Sequence, residues 1–229
     1  MQHKITATSL ALAAALTSGA AAAHISISSG PATANQSQEV AFSVGHGCEG
    51  ADTTSVTIEI PEGVTSVRPM TSDFGQIAVT TDDAGTVTAV SWTKLASTVL
   101  ASDVGFYKLI VRLKAPDQPF STLYFPAHQT CTDAEGKESV VDWVALEETA
   151  DAEPAPTLPI LPQRYPGWNK LTVSQAVPDL SVFFGNAVIV WKGDAAYSVN
   201  PTTVELIGQT EGVTLLDSLR AKDEIWVKY

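Results

Sequence analysis

SVTIEIPEG, from Ser55 to Gly63, is the stretch on which the fold reading turns. Its first six residues are rich in β-branched side chains, which suit an extended, half-buried chain. Pro61-Glu62-Gly63 then closes the run as a turn. Upstream, Ile25 and Ile27, and then Val40, Phe42 and Val44, alternate with polar or small residues, the period-2 pattern of strands with one buried face. Downstream come Gln76–Thr81, a hairpin loop at Asp82-Asp83-Ala84-Gly85, and Val87–Thr93. Tyr107–Leu113 sets apolar residues against Lys108 and Arg112, and Thr122–Phe125 and Val140–Leu146 complete the series. Strands at such short intervals, separated by turn residues, imply an all-β sandwich.

The two ends of the chain read differently. Residues 1–23 have the form of a signal peptide: Lys4 as the only charge, an apolar run from Ser9 to Leu16, and the small-residue site Ala21-Ala22-Ala23. The apolar run is too short to cross a bilayer, which takes about 20 residues. Cleavage after Ala23 is expected to leave 206 residues beginning at His24. The sandwich is expected over 24–149. Residues 150–163, with four prolines among acids, read as a Pro-rich acidic linker or an extended strap. Residues 164–229 read as a small C-terminal β unit, with β-type runs at Leu171–Val173, Val182–Trp191, Thr203–Ile207 and Glu224–Lys228. At this size it would be marginal alone, so it is expected to pack on the sandwich.

Charge limits the partners. Without the signal segment the chain carries 12 Lys+Arg against 25 Asp+Glu, a net −13. Nucleic acid and anionic lipid both favour basic surfaces, so neither is expected as a partner. No further run reaches membrane length, so no membrane anchor is expected. Cys48 and Cys131 are the only cysteines. In an exported chain an even count suggests one disulfide, which would close a loop of about 80 residues and add ~4 kcal/mol on the chain-entropy model. Two buried thiols are the alternative.

A free N-terminal histidine offers unusual chemistry. The α-amine and ring Nδ1 of His24 can hold one ion in a six-membered chelate ring, and two nitrogen donors suit Cu(II). A metal can displace the protons of both at neutral pH. The remaining ligands narrow the choice. Met70 is the single methionine after the signal, so Cu(I) lacks sulfur donors. A blue-copper centre needs a free Cys with two His. Structural zinc needs four ligands, and only His24, His46 and His128 remain as histidines. No H-E-x-x-H, nucleophile elbow or phosphate loop occurs.

Several stretches together resemble the YcnI-like family, domain of unknown function 1775. They are AHISI at Ala23–Ile27, GHGCEGADTTSVTIEIPEGVTSVRPM at Gly45–Met70, VSWTKL at Val90–Leu95, TLYFPAHQTC at Thr122–Cys131 and DWVAL at Asp142–Leu146. The resemblance covers roughly 23–158. The C-terminal unit, with AYSVNP at Ala196–Pro201 and DEIWVKY at Asp223–Tyr229, resembles an extension of some Gram-negative members. The resemblance implies an immunoglobulin-like or cupredoxin-like β-sandwich in the periplasm. It also implies a Cu(II) site made by a mono-histidine brace on the first mature residue, with a tryptophan and a carboxylate nearby. His24 and Trp143 match directly. For the carboxylate, Glu39 comes first because it lies on the strand after the N-terminal one, with Glu49 and Asp142 as alternatives. One departure is Tyr107-Lys108-Leu109, where many Gram-negative members have Asp-Glu-Phe.

Other residues have plainer expectations. His46 could be a ligand, but a histidine in a Gly-rich turn more often makes a local hydrogen bond, and the same holds for His128. Trp168, Trp191 and Trp226 are expected in the core of the C-terminal unit. The leading function is a copper-binding protein, not an enzyme, that sequesters Cu(II) or exchanges it with periplasmic or membrane copper-handling proteins. The rivals are a copper-dependent oxidative enzyme, which would require a second histidine beside His24, and a structural or adhesion module.

Overall fold

A computed structural model describes residues 24–147, 149 and 152–229; the expected signal peptide lies outside the described residues. In chain order the strands are β1 (Ile25–Ile27), β2 (Ala32–Thr33), β3 (Ser37–Val44), β4 (Asp52–Glu59), β5 (Thr65–Pro69), β6 (Gln76–Thr81), β7 (Val87–Thr93), β8 (Tyr107–Lys114), β9 (Thr122–Tyr124), β10 (Ala127–Thr132), β11 (Glu138–Ala145), β12 (Glu153–Pro154), β13 (Thr157–Leu161), β14 (Trp168–Thr172), β15 (Ile189–Lys192), β16 (Ala195–Tyr197), β17 (Thr214–Leu215) and β18 (Glu224–Lys228). Two helices, α1 (Leu180–Phe184) and α2 (Pro201–Gln209), lie among the last five strands.

Ser55–Glu59 lies in β4, inside the larger sheet, of order β12-β11-β10-β4-β7-β6. Val56 and Ile58 are fully buried, as the β-branched pattern requires, and Val64 N–H closes the following turn on Pro61 C=O. The facing sheet has the order β1-β3-β8-β5. Val40, Phe42 and Val44 of β3 and Leu109, Val111 and Leu113 of β8 share one core with Val56, Ile58, Val90 and Trp92 of the larger sheet. Alternation along each strand thus produces two inner faces, the condition for a sandwich. The β6–β7 hairpin closes as expected: Asp82 Oδ1 accepts from Ala84 N and Thr86 N, and Gly85 takes a left-handed φ of 81°. An aspartate supplies the first interaction, and glycine adopts that φ without Cβ strain.

Within the expected linker, Glu153–Pro154 and Thr157–Leu161 are paired strands. β12 pairs with β11, and β13 pairs with β2 on one side and β9 on the other. Leu158 and Ile160 are fully buried in the sandwich core. The prolines fit because their fixed φ suits extended chain and their carbonyls still accept; Pro156 C=O receives Phe125 N–H. The strands of the sandwich continue to Leu161, beyond the expected boundary at 149.

The C-terminal unit is a five-stranded sheet, β14-β18-β15-β16-β17. Two of its expected β runs begin as, or are, helices. Val182–Trp191 starts within α1, whose N-terminus is capped by Asp179 accepting from Ser181 N. Thr203–Ile207 lies in α2, with Asn200 capping Thr202 N and Thr203 N, and Pro201 at the first turn. A side-chain cap plus a proline preset for helical φ outweighs the weak β preference of Thr-Thr-Val. Phe120 and Leu161 of the sandwich join Phe183, Phe184, Val190 and Val227 in a second core. The unit therefore packs on the sandwich.

Candidate metal centre

His24 directly precedes β1, whose Ile25 pairs with Val44 at the end of β3. It stands where the chain enters the sandwich, and its side chain is half-buried. Its ring lies 5.6 Å from that of Trp143, centroid to centroid, at 51°. Trp143, on β11, is almost fully buried and pairs with Ala127 of β10. The two residues matched through the family resemblance therefore meet in space, although 118 positions of sequence lie between them.

What holds Trp143 was not foreseen. Its indole N–H donates to Gln129 Oε1 at 3.2 Å. Gln129, fully buried, donates from Nε2 to His46 C=O at 2.9 Å and to Thr53 Oγ1 at 2.8 Å. Both ends of the amide are engaged, so its orientation is fixed. Two residues further along β10, Cys131 forms the disulfide with Cys48 and its sulfur accepts from Cys48 N–H. The Gly45–Cys48 segment is thus tied to β10 by a covalent bond and by the glutamine. The sequence carried a sign of this. Gln129 is the polar member of the inward series Ala127, Gln129, Cys131, and an inward polar side chain needs partners.

The expected carboxylates separate. Glu39 lies on β3 opposite Arg112, five residues from Val44, roughly 17 Å along the strand from the His24 end. The inference from the strand after the first one failed because β1 pairs with the far half of β3. Asp142 adjoins Trp143 in sequence, so the two side chains point to opposite faces of the sheet. Asp142 Oδ1 instead holds His128 Nδ1 at 2.6 Å, while Glu59 Oε1 lies 3.2 Å from His128 Nε2. The Asp142 hydrogen bond raises the His128 pKa above its ordinary value; partial burial opposes this and Glu59 adds to it. Glu49 takes a left-handed φ of 50° in the turn after Cys48 and is exposed. It lines a cavity of about 270 Å³ with Asp133, Lys137 and Glu138. The His46 ring makes the expected local contact, with Nδ1 2.7 Å from Gly47 C=O, and Nδ1 lies 3.9 Å from Asp103.

The departure at Tyr107 also has a place. Asp52 is fully buried and receives both Lys94 Nζ, at 2.7 Å to each oxygen, and the Tyr107 hydroxyl at 3.0 Å. Leu100 N–H adds a fourth bond. Burial raises the tyrosine pKa most, and the Lys94 hydrogen bond works against that rise. This network satisfies a buried charge pair within the sandwich.

Among the described residues, no group of three or more His, Cys, Asp or Glu is placed to hold a metal ion. His24 itself has two nitrogens in reach of one ion, Nδ1 and its backbone nitrogen. One of them is a peptide nitrogen while Ala23 precedes it, and becomes an amine only after cleavage there.

The architecture and the disulfide-tied end define the class: an immunoglobulin-like β-sandwich with an appended α/β unit. The chain belongs to the family described as Domain of unknown function (DUF1775), whose model matches residues 24–161. That span ends at the last residue of β13. A solved structure of an uncharacterized protein from Nocardia farcinica, reported to reveal an immunoglobulin-like fold, is 27% identical. The match covers 60% of this chain and 97% of that one, with a TM-score of 0.50. The Coh-OlpA-Doc918 cohesin–dockerin complex from Clostridium thermocellum is matched at 14% identity over 60% of this chain and 97% of that chain, with a TM-score of 0.37. No curated protein matches this chain.

Proposed function

We propose that the chain is exported to the periplasm, is cleaved after Ala23, and then holds one Cu(II) through the amine and Nδ1 of His24. The observation that carries this reading is the His24 ring set against Trp143 at a half-buried chain entrance. The indole lies tilted against the imidazole, and Gln129 accepts its N–H. The acidic chain draws cations toward its surface. Two nitrogen donors leave other positions on the ion open, which suits exchange with a periplasmic or membrane copper-handling partner. The protein then sequesters or delivers copper and performs no turnover of its own. We assign neither Glu39, toward the other end of β3, nor Asp142, on the opposite face of β11 from Trp143, to the site; Glu49, in the segment that carries His46, is the remaining carboxylate of the three.

The test compares a chain beginning at His24 with the same chain acetylated at the His24 amine. Calorimetry is expected to show one Cu(II) per chain for the first. Blocking the chelate should weaken binding by about a hundredfold or more in the second, the loss of one strong donor bond. Equal affinity for both would contradict the proposal.

A further inference from the structure

The C-terminal sheet turns three tryptophans outward. On β18, Ile225 and Val227 are fully buried in the second core, so Trp226 points away from it, and Val190 places Trp191 likewise on β15. Cross-strand pairing sets Lys170, Trp226, Trp191, Ala196 and Leu215 in one row across all five strands. Trp168 and Lys228 pair in the adjoining row. Trp168 and Trp226 are 51% and 49% exposed. The three indoles and Gly193 line an open cavity of about 430 Å³. Exposed tryptophans gathered round a concavity mark a binding surface, whereas scattered ones would not.

The charged side chains on the same face restrict the ligand. Lys228 Nζ lies 5.9 Å from the Trp168 ring centre, and Lys170 pairs with Glu224 at 3.0 Å. Lysine already occupies the cation position over an indole, so a quaternary ammonium would be repelled. An apolar bilayer interior laid over the face would strip water from Lys170, Glu224 and Lys228 without supplying partners, and the acidic chain disfavours anionic headgroups. A pyranose ring matches both features. Its C–H face stacks on the electron-rich indole face, and its edge hydroxyls accept from lysine and donate to glutamate. Indoles on neighbouring strands, with charged groups between them, suit several sugar units in sequence.

We propose that Trp168, Trp191 and Trp226 form a glycan-binding face for a pyranose polysaccharide, independent of the histidine end. The whole chain is run through native gels containing hydroxyethylcellulose, a neutral glucan, or alginate, a uronate polymer. Retardation relative to a glycan-free gel is expected in at least one of them. Trp226→Ala should weaken it by about tenfold or more, as for a central aromatic contact. Trp226→Tyr should retain most of it, and His24→Ala all of it. Trp168→Ala provides a second reading should Trp226→Ala lose its native circular dichroism. Unretarded migration in both gels would overturn the proposal. So would retardation that survives both alanine variants, or tryptophan-dependent binding to phosphatidylglycerol vesicles or self-association in place of glycan binding.

Discussion

Trp143 and Trp226 are both tryptophans on strands next to a sheet edge or centre, yet they face opposite worlds. Trp143 points into the sandwich, is 3% exposed, and spends its N–H on a buried glutamine. Trp226 points out from a sheet whose inner side is already filled by Ile225 and Val227. The same residue type therefore fills the core beside His24 in one half of the molecule and presents a surface in the other. Strand parity relative to the core, more than side-chain hydrophobicity, decides between them.

Truncating each tryptophan in turn separates the two environments most strongly. Trp143→Ala should cost about 3–5 kcal/mol in denaturant unfolding, the price of emptying a large core position. Trp226→Ala, a surface change, should cost about 0.5 kcal/mol. Similar losses would remove the distinction.

The covalent tie at the histidine end ranks close behind. Cys48→Ser with Cys131→Ser should lower stability by about 4 kcal/mol through freedom restored to the unfolded chain. The histidine end should also loosen, seen as faster amide exchange over Gly45–Cys48. Loss of stability without that local change would mean the disulfide serves the sandwich generally.

Gln129→Leu is a smaller and more local test. It leaves the Trp143 N–H and the His46 carbonyl without their buried partner, at about 1–3 kcal/mol. Its diagnostic effect is a shifted Trp143 emission, with unchanged behaviour at the C-terminal face.

The smallest effect is expected at His128, on the outer side of the sheet. Its pKa is raised in the folded state, chiefly by Asp142. The charged ring thus adds stability fully below the unfolded value of 6.5, and this is lost as pH rises through the folded value. The stability difference between wild type and His128→Gln should therefore be present in acid and shrink toward alkaline pH. A difference independent of pH would place the effect in packing. The group is partly exposed, so the contribution is modest.

The sequence made the sandwich legible because Val40-Ala-Phe-Ser-Val44 and Ser55–Ile60 state their buried faces by alternation alone. The His24–Trp143 meeting followed from family resemblance; local pattern contains no term linking β1 to β11. The carboxylates went astray for that same reason. Choosing Glu39 required knowing which half of β3 pairs with β1, and choosing Asp142 required the parity of β11. In the C-terminal unit the Asp179 cap and the Asn200-Pro201 start set helices where β-branched composition alone reads as strand. Its tryptophans were assigned to the core by size, when Ile225, Val227 and Val190 already filled it.

Tryptophan fluorescence during Cu(II) titration of the chain that begins at His24 reads directly whether the ion sits beside Trp143. Quenching should saturate at one equivalent, and Trp143→Phe should abolish most of it while calorimetric affinity stays within a few-fold. Quenching that persists in Trp143→Phe, or a chain with no Cu(II) affinity at all, would contradict a copper site at His24 against this indole.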